Sequence, residues 1–118
     1  MPARVIHFGL DDCHRLMVLE SAGYAVEDCD CLVRLRALLA DGAPVAALLV
    51  SDGDRVLLQE VVALARTQSS VPIILFPNAN VSLEKAGVDL VVDCLTPPDV
   101  WLNDVEGLIE KTRPTLRA

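Results

Sequence analysis

At 118 residues, 53% of them hydrophobic, the chain has the size of one domain and enough apolar material for a core of its own. Its formal net charge of −7 would repel a phosphate backbone, which argues against direct nucleic-acid binding. The segment Met1-Pro2-Ala3-Arg4 carries no apolar signal region, and no apolar run approaches the roughly 18 residues that span a bilayer. A soluble cytoplasmic protein without a membrane partner is expected. The four cysteines, Cys13, Cys29, Cys31 and Cys94, are read as reduced thiols. Cys29-x-Cys31 is tighter than the usual zinc-ligand spacing, with His14 the nearest further ligand, so no metal site is expected there.

Arg4 to Phe8 is a short apolar run closed by Gly9 and predicts a first strand. Asp11 or Asp12 can cap the helix that follows, whose inward face would carry Leu16 and Leu19. Gly23, in Ala22-Gly23-Tyr24, stands where a left-handed C-terminal residue belongs. Ala25-Val26 with Glu27 predicts a short edge strand. Asp30 can cap a second helix with the stripe Leu32, Leu35, Leu38 and Leu39.

The unbroken apolar run 45–50 predicts a central strand buried on both faces. Ser51-Asp52-Gly53-Asp54 reads as a loop, with Asp54 capping a third helix through Leu57, Val61 and Leu64. Residues 71–76 predict strand four, with Pro72 tolerable only near its start. A short fourth helix over 82–86 ends at Gly87, and 88–92 predicts strand five. Pro97-Pro98-Asp99 opens a last helix bearing Trp101 or Leu102, Val105, Leu108 and Ile109. Five strands alternate with five helices, and no linker or repeat marks a boundary. The expectation is one α/β domain over 1–118, with a core of about 4–112. It is a doubly wound, flavodoxin-like parallel sheet in order 2-1-3-4-5, with helices on both faces.

This order, with Ala22-Gly23-Tyr24 before strand two and Ala86-Gly87-Val88-Asp89 before strand five, resembles the receiver domain of bacterial response regulators. The resemblance implies a place in a two-component phosphorelay. An acidic pair after strand one would bind Mg2+, and an Asp ending strand three would accept a phosphoryl group from a partner kinase. A Ser or Thr ending strand four and a Lys ending strand five would contact that group. Such chemistry needs carboxylates for a hard cation and a cation to offset added charge.

Laid on that pattern, the acidic pair falls on Gly9 and Leu10, with Asp11 and Asp12 slightly later. The phosphoacceptor position falls on Val50, with Ser51 and Asp52 just beyond; the hydroxyl position falls near Pro77 and the lysine near Cys94. Losing acceptor and lysine together is coherent, because a lysine kept without its aspartate would be a poorly paired cation. The resulting expectation is an atypical receiver-like signal-transduction module, not an enzyme, with no cofactor. Its partner would be another signalling protein or a second copy of itself, met through the surface of helix four, strand five and helix five.

Two other readings stay open. In one, Asp52 joins Asp11 and Asp12 around Mg2+ and is phosphorylated by a partner kinase, against the plainer reading of all three as turn and capping residues. In the other, the strand ends bind a small ligand, although no glycine-rich phosphate loop follows strand one. Trp101 either stands exposed as an anchor for a partner or packs inward while Leu102 covers the edge. His7 reads as a satisfied structural histidine and His14 as a solvated one. Cys94 lacks the neighbouring cation that would make it reactive.

Overall fold

A computed structural model describes residues 3–9, 14–42, 44–51, 55–68, 70–76, 87–92 and 96–112. Five strands are present: β1 (Arg4–Gly9), β2 (Ala25–Cys29), β3 (Ala47–Ser51), β4 (Ile73–Leu75) and β5 (Leu90–Val91). Among the described residues there are four helices: α1 (Arg15–Ser21), α2 (Leu32–Ala40), α3 (Arg55–Gln68) and α4 (Pro98–Thr112). The short helix predicted over 82–86 lies outside the described residues, so α4 is the last helix of the sequence reading. The strands pair in parallel in the order β2-β1-β3-β4-β5, as the alternation predicts.

Alternation along the strands divides the core into two layers. Ile6, Phe8, Leu48, Val50, Ile73 and Leu75 face one side, where Leu35 and Leu38 of α2 and Leu58, Val61 and Ala65 of α3 cover them. Val5, Ala47, Leu49, Ile74 and Phe76 face the other side, against Leu19 of α1 and Trp101, Val105 and Ile109 of α4. The apolar run in β3 is buried along its whole length because both faces are covered.

Two predicted caps are corrected. The residue before α1 is His14, in a left-handed conformation with φ 55° and no side-chain cap, so neither Asp11 nor Asp12 holds that position. The residue before α2 is Cys31 in extended backbone, one place after Asp30, again without a side-chain cap. Gly23 has φ 98° and closes α1 as its position predicts, with its N–H donating to the Glu20 carbonyl.

The partner-surface assignment of Trp101 is corrected as well. Its side chain is 2% exposed, because 101, 105 and 109 form one inward stripe of α4. It meets Phe76 edge to face, with ring centroids 5.4 Å apart and planes at 71°. Among the described residues, the exposed large apolar side chains nearby are Val91 on β5 and Val100 in the first turn of α4.

Candidate functional site

In a parallel sheet the C-terminal ends of the strands are the usual place for chemistry. Here the last inward side chains on the α1/α4 face form a polar row across three strands. Register pairs His7 of β1 with Asp28 of β2, and pairs Gly9 of β1 with Ser51 of β3. His7 has no solvent exposure, so both ring nitrogens need partners inside the protein. Nδ1 lies 2.8 Å from Asp28 Oδ1, and Nε2 lies 2.8 Å from Ser51 Oγ. An ionised carboxylate only accepts, so Nδ1 carries the proton; in the neutral ring Nε2 accepts the Ser51 hydroxyl proton. Ser51 is 5% exposed, whereas the Asp28 side chain is 57% exposed and joins the row to solvent.

Phe76 continues the row beyond Ser51, its N–H bonded to the Val50 carbonyl at 2.7 Å. Arg15, at the start of α1, is buried with its guanidinium carbon 4.4 Å from the centroid of that ring. On the opposite face of the sheet, Cys29 donates from Sγ to the His7 carbonyl at 3.4 Å. Burial, and after it the charge of Asp28, push the Cys29 thiol up to about 11.

Of the receiver-pocket and partner-surface positions counted from the sequence, Gly9, Val50, Ser51 and Trp101 are described. Val50 is sealed in the α2/α3 layer with no exposure, on the face opposite Ser51. Gly9 has φ 113°, and a Cβ there would overlap the Ser51 carbonyl, so no carboxylate can be carried at that position with this backbone. Leu10, Asp11, Asp12, Asp52, Pro77 and Cys94 lie outside the described residues. Among the described residues no three His, Cys, Asp or Glu side chains converge on a metal position, and Asp28 is engaged by His7. The described part of the mouth therefore does not supply the oxygen cage that Mg2+ takes; the candidate ligands Asp11, Asp12 and Asp52 fall outside it.

Sequence reading identifies His7 as structural but not its partners. Asp28 is missed because the predicted second strand stops at Glu27; Ser51, already counted just beyond the acceptor position, is missed only as the partner of His7, because it is assigned to a loop. Extending strand two by two residues puts Asp28 beside His7, and that signal is present in the alternation of 26 and 28 with 5 and 7. An open cleft of about 430 Å3, lined by Ala3, Tyr24, Asn103, Glu106, Ile109 and Glu110, lies at the other end of the sheet from this row.

No family model matches the chain, and no curated protein does. Solved structures do match. A response regulator receiver protein from Sinorhizobium medicae superposes with a TM-score of 0.70 at 17% identity, covering 92% of this chain and 95% of that one. The chemotaxis response regulator CheY4 of Vibrio cholerae gives 0.68 at 23% identity, covering 92% and 99%. The fold is that of a response-regulator receiver. The N-terminal domain of the nisin resistance regulator NsrR shares this receiver fold at a TM-score of 0.72 and 15% identity, over 92% of this chain and 99% of that domain. Within the described residues of this receiver fold, the end of β3 offers a hydroxyl bonded to an imidazole. No helix among those residues is long and apolar enough to cross a membrane.

Proposed function

We propose that the chain is a receiver-fold signal-transduction module that acts through protein contacts and forms no aspartyl phosphate at the end of β3. The observation that carries this reading is Val50, the counted acceptor position, wholly buried under α2 and α3. The closed approach of Gly9 to Ser51 supports it from the adjacent strand, at the position counted for the acidic pair. A domain without a phosphoryl switch communicates by the surfaces it presents. Val91 and Val100 take over from Trp101 as the apolar side chains offered on β5 and the start of α4. The partner is another signalling protein or a second copy of the chain. Incubation with acetyl phosphate and Mg2+, followed by intact mass measurement, tests the reading. No added phosphate is expected. A gain of one phosphate that Asp52→Asn abolishes would turn the protein into a phosphorylated receiver.

A further inference from the structure

The row Asp28–His7–Ser51 is more than a way of satisfying a buried ring. Aliphatic side chains at the two buried places, 7 and 51, would extend the apolar layer under α1 and α4 and leave no polar group to satisfy. Instead, a carboxylate, an imidazole and a hydroxyl from three neighbouring strands meet in the order that activates a nucleophile. The carboxylate holds Nδ1–H and so fixes the tautomer, and the free Nε2 takes the hydroxyl proton. Such constellations are recognised by geometry and role, not by chain order or fold.

We propose that Ser51 Oγ is an activated nucleophile that accepts an acyl group from small activated esters, with His7 as its base. Asp28 is the positioning residue that orients His7. Ser51 is the last residue of β3, at the end of the sheet where ligands reach parallel strands. The residue opposite it on β1 is Gly9, so that strand puts no side chain beside the hydroxyl.

The reaction balances within these groups. Ser51 Oγ bonds to the ester carbonyl carbon as its proton passes to His7 Nε2. The carbon–oxygen bond to the leaving group then breaks, and the proton on Nε2 goes to the departing oxygen. Water, deprotonated by the same nitrogen, later cleaves the serine ester and restores the hydroxyl. A neutral carbonyl suits the place better than a phosphoryl dianion would. Asp28 stands one ring away in a chain of net charge −7.

The inference goes beyond the signalling role and does not rest on it. Each can fail alone, because the phosphodonor experiment reads Asp52 and this one reads Ser51. The folded protein is treated with p-nitrophenyl acetate and, separately, with an alkyl fluorophosphonate. Intact mass and peptide mapping then locate the adduct. One acetyl and one phosphonyl group are expected on Ser51, both lost in Ser51→Ala. His7→Gln should slow their formation by about 10²-fold or more, as loss of a general base does. Asp28→Asn should lower the acylation rate at saturating ester while the half-saturating concentration stays the same, with partial rescue by Asp28→Glu. Cys31→Ser, which removes an exposed thiol, should change nothing at Ser51. Circular dichroism identifies any variant that has lost the fold. Ser51→Ala and Asp28→Asn, each a change of a few atoms, keep the test decisive if His7→Gln is such a variant. Adducts confined to cysteine or lysine overturn the proposal, as does a Ser51 adduct that forms undiminished in His7→Gln.

Discussion

Trp101, Cys29 and His7 show how much a single side chain depends on which face of its element it occupies. Trp101 shares an inward stripe with Val105 and Ile109 and meets Phe76 edge to face, so its removal empties the α4 layer. Trp101→Ala should cost about 3–5 kcal/mol of stability, read by urea unfolding; a loss below about 1 kcal/mol would mean an exposed ring. Cys29 and Cys31, two residues apart, should behave as opposites. Below pH 9 Cys31 reacts with a thiol reagent while Cys29 stays protected until the protein unfolds. The Cys29 thiol is raised from 9.0 to about 11 in the folded state, so folding favours its neutral form. Its contribution is therefore intact below about pH 9 and is lost as pH rises toward 11, by on the order of 2 kcal/mol. Stability measured from pH 8 to 11 should fall more steeply in the parent than in Cys29→Ala. Periodicity alone leaves Trp101 and Leu102 both eligible for the core; packing on Phe76 decides it. The partners of His7 are not legible in the same way, because a residue's neighbours on other strands depend on register.

Elements were legible where their pattern was long. The apolar run of β3 and the stripe of α2 appear where the sequence puts them, and Gly23 closes α1 because its φ of 98° suits a residue without a Cβ. Helix starts were not, since a capping Asp names a neighbourhood and the backbone chose His14 and Cys31 within it. One cross-element tie has no local signature. Arg66, in the last turn of α3, donates to the carbonyls of Val71 and Gly87 at 3.0 Å each and to Asp89 Oδ2 at 2.9 Å. The same carboxylate oxygen accepts the Ile73 N–H at 2.8 Å. This clasp fixes the starts of β4 and β5, of which β5 has only two residues. Arg66→Ala should cost about 1 kcal/mol, a modest figure because the side chain is partly exposed. Hydrogen exchange should quicken at the amides of Asp89 and Val92 before it does so in β1 or β3. Uniform loss of protection across the sheet would deny the clasp its local role.

At the scale of the whole molecule the topology was legible, because strict alternation of strands and helices with right-handed crossovers leaves few parallel sheets to choose from. Its outer surface carries the signalling proposal. Sedimentation should give the same species with and without acetyl phosphate and Mg2+. If the chain self-associates, Val100→Asp should weaken that association by about 1 kcal/mol or more, about fivefold. The mouth was legible only as a set of departures: counting positions names Val50 and Gly9, but not the row that stands beside them. That row puts a carboxylate and a hydroxyl on the two nitrogens of one buried ring. Nitrogen-15 NMR of the His7 ring at neutral pH tests it most directly. The expected spectrum shows a slowly exchanging proton on Nδ1 that becomes fast in Asp28→Ala, and a bare Nε2 whose shift moves in Ser51→Ala. A neutral ring protonated on Nε2, or a proton exchanging as freely as that of exposed His14, would contradict it.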